Sequence, residues 1–179
     1  MQLKFLKNKF VLLIFLIIAI FLTFLFIYNS FFKPIYITEI DGIKIRFRAN
    51  LREANKIFSE KEKIENLIWN EKLKNITIVF VNSTQNGLVQ VQAFEIAFKL
   101  ALAYQLKNKN VEIKGKEVFS YSKLKGSEEN ILIALIPPIF ANQTKVWVKD
   151  YVIFVEAKNP KEFDLATIKF LIDALKIKI

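Results

Sequence analysis

The side chains that most often perform nucleophilic or proton-transfer chemistry are scarce in this sequence. It contains no Cys and no His, which excludes Ser-His-Asp and Cys-His nucleophile systems, imidazole and thiolate metal sites, and any disulfide framework. Carboxylate chemistry and anion recognition remain. Asp41, Asp150 and Asp164 could serve a carboxylate-dependent hydrolase, but each has a local explanation. Asp41 and Asp150 suit turns, and Asp164 suits the first turn of a helix. Their spacing places no two of them together, so no catalytic residue, metal ligand or cofactor is assigned.

The cations carry more pattern. The chain's three Arg fall at positions 46, 48 and 52. Lys44, Arg46 and Arg48 alternate with Ile43, Ile45 and Phe47, the period of a strand with one cationic and one apolar face. Guanidinium binds carboxylate and phosphate bidentately, so Lys44, Arg46, Arg48 and Arg52 form a candidate anion-binding face for glycans or lipid headgroups. An edge strand protected by charge from pairing with other molecules produces the same pattern. The formal charge of +10 does not point to nucleic acid. The lysines are dispersed, and abundant Lys, Asn, Ile and Phe with little Gly, Pro or Arg is what A+T-rich codons impose.

The elements that position these residues can be read in order. Segments 36–40 and 43–47 predict a hairpin around Asp41-Gly42. Residues 51–58 continue the strand or make a first helical turn. Ser59 and Glu62 form a capping box that opens a helix over 59–70. Segment 75–81 is β-rich and apolar throughout, as a central strand is. A polar turn, 82–87, leads into a helix from 88 or 90 to 106, largely buried, with Gln92, Glu95 and Lys99 as a narrow polar stripe. A strand over 111–119 completes a strand-helix-strand unit, which predicts two parallel strands and a right-handed crossover. The polar turn stands where open α/β sheets bind ligands. It has one Gly and no phosphate-loop pattern, and helix capping by Ser83, Thr84 or Asn86 explains its residues. Beyond a loop centred on Gly126, strand 130–136 stops at Pro137-Pro138. A second hairpin, 144–148 and 151–157 about Lys149-Asp150, alternates as a sheet with one wet face would. Asn159-Pro160-Lys161-Glu162 then opens a final helix that closes the core.

Ahead of all this lie nineteen residues, 10–28, in which only Thr23 is polar. As a helix they cover about 28 Å, close to the hydrocarbon thickness of a bilayer. Lys4, Lys7 and Lys9 precede them, so the flank bias places the amino terminus inside. Their length, and the absence of an Ala-x-Ala site after them, favour an uncleaved anchor over a signal peptide. The sequence therefore divides into a cytoplasmic basic flank 1–9, a transmembrane anchor 10–28, a linker 29–35 and an extracytoplasmic domain 36–179. Acceptors for N-glycosylation at Asn75, Asn82 and Asn142 agree with an outside domain.

From Asn130 onward the order is apolar strand, Pro, Asn-bearing loop, hairpin and a helix reading Phe163-Asp164-Leu165-Ala166 with Lys169-Phe170-Leu171. It resembles the carboxyl-terminal part of small uncharacterised membrane-anchored archaeal envelope proteins. More distantly it is similar to the α/β segments of archaeal surface-layer proteins in which a strand runs into Gly-Gly-Pro, with Ile136-Pro137-Pro138 in that place here. The resemblance implies an envelope location and carries over no functional residue.

The fold expected is α/β: an N-terminal transmembrane helix, then one mixed-sheet α/β sandwich with about three helices and two β-hairpins. The function expected is a non-catalytic interaction or structural role in the cell envelope. Its partners would be the bilayer and envelope glycans or surface proteins. A binding module for anionic glycans or lipid headgroups is the alternative, and a carboxylate hydrolase a weaker one.

Overall fold

Alternating apolar and charged side chains at the start of the domain send one face of a hairpin inward. In the computed structural model, which describes residues 36–40 and 42–179, Tyr36–Ile40 (β1) and Ile43–Phe47 (β2) pair antiparallel. The turn uses Gly42 at φ +81, a conformation that Gly adopts without steric cost. The residues before 36, with the proposed flank, anchor and linker, and Asp41 of this turn lie outside the described residues. Leu51–Ala54 (α1) is a single helical turn. Asn50 caps it by accepting from the Arg52 and Glu53 amides. Lys61–Ile68 (α2) follows.

The apolar runs build the principal sheet. Asn75–Val81 (β3) leads into Asn86–Leu106 (α3), then Glu112–Val118 (β4), Asn130–Ile136 (β5), Lys145–Lys149 (β6), Val152–Glu156 (β7) and Pro160–Ala174 (α4). The five strands lie in the order β4-β3-β5-β7-β6, with β6 antiparallel to β7 and the other neighbours parallel. The β1–β2 hairpin forms its own two-stranded sheet. The fold is thus α/β with a mixed sheet, and Tyr36–Ile179 holds together as one compact unit. The β3-to-β4 and β4-to-β5 connections step in opposite directions along the sheet, so one hand for both requires opposite faces. They do take opposite faces. α3 packs over Ile76 and Ile78, whereas Tyr121 and Leu124 of the β4–β5 loop pack with Val79 and Ala134 on the reverse side.

The four helices among the described residues share one layer. α4 is its hub, touching α1, α2, α3, β6 and β7, and every residue from Leu165 to Ala174 is buried. Its charges must therefore be matched inside the protein. Lys169 donates to Asp173 one turn on (2.9 Å) and to Asn55 at the end of α1 (3.0 Å). Asn159 caps α4 by accepting from the Glu162 amide, as the sequence predicts.

α3 buries Ile96, Leu100, Ala103 and Tyr104 as expected, but its polar stripe turns inward. Gln92 and Lys99, expected on the polar outer stripe, are 3% and 6% exposed, while Phe94 and Phe98 stand in solvent. The inward polar groups find partners. Gln92 donates to Asp164, linking α3 to α4, and Lys99 pairs with Glu95 and lies over the Phe47 ring at 4.5 Å. Burial holds the Lys99 pKa below the usual lysine range, opposed by Glu95.

Three further local expectations change. The second hairpin turns one residue later, on Asp150 and Tyr151, both at positive φ (50° and 61°), the two-residue geometry that matches strand twist. The expected wet face holds for β6 alone, whose Lys145, Trp147 and Lys149 are partly or fully exposed, whereas β7 is buried throughout, with Trp147 stacked on Phe154. Gly126 lets this turn close on the β4–β5 loop, where a Cβ would stand 2.6 Å from the Tyr151 carbonyl oxygen.

The Ser59 capping box does not form. Residues 58–60 instead run along the outer edge of β6, with Val146 N donating to the Phe58 carbonyl and Glu60 N to the Val146 carbonyl. Glu60 takes the position before α2 and accepts from the Val148 amide (2.6 Å) and from Lys63. The Lys63 ammonium, then the Val148 amide, hold its carboxyl below the usual carboxylate range. A group whose folded pKa is lowered stabilises the fold above its unfolded value and loses that contribution as pH falls through the folded one. Glu60→Gln should therefore be less stable than wild type at neutral pH, with the gap closing under acid. Ser59→Ala should cost less than about 0.5 kcal/mol, where loss of a true N-cap costs about 1 kcal/mol. Urea melts of both variants across pH check the pair.

Candidate functional site

The cationic face stands as the alternation requires. Ile45 and Phe47 enter the core, Lys44 and Arg46 project outward from β2, and Arg48, the residue just past it, is exposed as well. Lys44 lies opposite Glu39 and Arg46 opposite Ile37. Arg52 is exposed too, but one helical turn on, in α1. The structure thus brings Lys44 and Arg46 onto one hairpin face, with Arg48 at its end. Among the described residues none of the four is in an ion pair. Arg48 lies near enough to Lys99 to add to the disfavour of its charge. As a strand of a two-stranded sheet β2 is itself an edge, and so is β4 in the larger sheet. On the edge strand β4, Glu112, Lys114, Lys116 and Glu117 are all exposed, which is the charged-edge device.

The crevice where ligands gather in open α/β sheets lies at the carboxyl ends of β3 and β5, where the chain order reverses. Here a side chain fills it. β3–β5 pairing ends at Val79 and Ala134, while β3–β4 pairing runs on to Val81 and Val118. Into the gap comes Tyr121, whose hydroxyl accepts from the Val81 amide (3.1 Å) and donates to the Leu135 carbonyl (2.5 Å). Burial raises its pKa, against the Val81 hydrogen bond. Phe140 meets the same ring edge-on. Gln85 ties the two rim loops by accepting from the Ile139 amide, and Ser83 and Asn86 bond within the polar turn. None of Ser83, Thr84 or Asn86 caps α3, whose N-cap residue is Gln85.

The carboxylates stay apart in role. Asp150 is a turn residue, and Asp164 accepts from Gln92. No group of three His, Cys, Asp or Glu among the described residues could hold a metal ion. Of the glycosylation acceptors, Asn82 and Asn142 are exposed in loops. Asn75 instead sits at the start of β3 with its amide nitrogen donating to Asn130 (2.6 Å).

Sequence reasoning missed a groove of about 660 Å³ at the opposite end of the helical layer. Trp69, Leu106, Leu175 and Ile177 line it, with Lys107 and Lys178 at the rim. The ends of α2, α3 and α4 meet here, and their unpaired carbonyls need donors. Trp69 Nε1 donates to the Ala174 carbonyl, Tyr104 to that of Ile68, and Lys109 to those of Trp69 and Asn70. A lysine just past the end of a helix was the available signal.

No family model, curated protein or solved structure matches the chain.

Because Arg46 and Arg48 have no ion-pair partner among the described residues, changing both to Gln should alter stability by about 0.5 kcal/mol or less. If the face recognises anions, the change should weaken binding of the fragment from Ser30 onward to acidic vesicles or polyanionic glycan by roughly 25-fold at low salt, at about 1 kcal/mol per cation. A variant that self-associates while wild type shows no retention would assign these residues to surface protection instead.

Proposed function

We propose that the chain is a single-pass membrane protein with a cytoplasmic amino terminus, whose domain from residue 36 stands outside the membrane in a non-catalytic interaction or structural role in the cell envelope. The observation that carries this is the nineteen-residue apolar segment 10–28, placed before a domain that closes a hydrophobic core from its own residues. Among those described residues no helix is long and apolar enough to cross a membrane. The resemblance to membrane-anchored archaeal envelope proteins supports the same location, and Asn82 and Asn142 are accessible acceptors there.

A second reading, binding of anionic glycans or lipid headgroups, is favoured by Lys44, Arg46 and Arg48, exposed on β2 and just past it and in no ion pair among the described residues. The hydrolase reading loses ground because Asp150 and Asp164 have structural duties.

Carbonate extraction should leave the full chain with membranes and release a chain beginning at Ser30. Protease added to intact cells should degrade the domain. Full chain in the carbonate supernatant overturns the anchor, and complete protection from protease overturns the orientation.

A further inference from the structure

The outer face of α3 is apolar and uncovered among the described residues. Val91, Phe94 and Phe98 are 45%, 72% and 60% exposed, and the two Phe rings stack with centroids 6.1 Å apart. Leaving a Phe in water forgoes about 1.5–3 kcal/mol of burial free energy, so a contiguous pair marks a contact surface. The β1–β2 hairpin reaches α3 through Phe47. Lys99 directly follows Phe98, about 100° round the helix. It covers the Phe47 ring of β2 and is flanked by Arg48. Exposed aromatic rings and unpaired guanidinium groups therefore sit on neighbouring elements.

We infer that Phe94 and Phe98, together with Arg46 and Arg48, form a docking surface that lies on the anionic face of a lipid bilayer, with the rings at the acyl boundary and the guanidinium groups on headgroup phosphates. This deepens the anchored reading and rests on it. Apolar rings backed by cations are the chemistry of interfacial binding to acidic lipid, which for a domain outside the membrane is the acidic lipid of the outer leaflet. On β1, Ile37, itself 54% exposed, lies opposite Arg46 and adds an apolar side chain beside it. A second copy is the poorer occupant, since a two-fold contact across this face sets its cations against each other.

The sequence has no Cys, so single substitutions allow site-specific spin labelling of the full chain. Ala19→Cys, Phe94→Cys, Phe98→Cys and Lys123→Cys would each be reconstituted in vesicles of phosphatidylcholine alone or with phosphatidylglycerol. Collisions with oxygen and with a water-soluble nickel chelate would be compared. Lys123 lies on the loop covering the reverse face of the sheet and serves as the aqueous reference. In acidic vesicles the labels at 94 and 98 should lose nickel accessibility and gain oxygen accessibility, as the label at 19 does, while 123 stays aqueous. Adding Arg46→Gln and Arg48→Gln, or removing the acidic lipid, should return 94 and 98 toward the aqueous pattern. With the label at 19 in lipid, aqueous labels at 94 and 98 overturn the docking surface and leave the anchor standing. Labels at 94 or 98 shielded from both reagents, with spin–spin broadening between copies, overturn it in favour of self-association. An aqueous label at 19 overturns the anchor. In that case lipid-like labels at 94 and 98 uphold docking by itself, and aqueous ones end both.

Discussion

The structure depends on a closing helix whose stretch from Leu165 to Ala174 is buried yet carries two charges. Lys169 and Asp173 there are tolerable only as a hydrogen-bonded pair. Their one-turn spacing makes the pair, and Asn55 supplies the further acceptor. That acceptor fixes where α1 must end, and α1 directly follows the hairpin with the cationic face. A burial constraint in the last helix thereby helps to set the position of the first elements.

The strands were legible because their determinants are local. β-Branched runs at 75–81 and 130–136 and the alternation at 43–47 each name a strand without help from elsewhere. The capping box and the face of α3 were not legible, for one shared reason. Ser59 has the right spacing to cap a helix, but its backbone is used by β6, a strand almost ninety residues later in the chain, roughly as far as Val146. Periodicity locates a stripe on a helix but not the side that meets the sheet. On α3 the polar stripe turned inward, where Asp164 and the Phe47 ring receive Gln92 and Lys99, and Glu95 of the stripe itself pairs with Lys99.

The candidate surface divides the same way. Lys44, Arg46 and Arg48 could be assigned to one face from alternation alone, whereas Arg52 falls on a helical turn that the sequence left ambiguous. The aromatic half, Phe94 and Phe98, was hidden, since Phe in an apolar helix reads as core. The groove at the helix ends was hidden too, because Trp69, Leu106 and Leu175 belong to three separate helices whose convergence no local pattern announces.

Tyr121 has a consequence for motion. The sheet normally opens at an end by fraying, one strand peeling from the next with loss of successive backbone bonds. Between β3 and β5 the last link is a phenol from a crossing loop. A change of rotamer, with no strand displacement, would bare the Val81 amide and the Leu135 carbonyl to solvent. This end of the β3–β5 seam is thus closed by one side chain, whose ring packs against Phe140 and the Val79–Ala134 cluster.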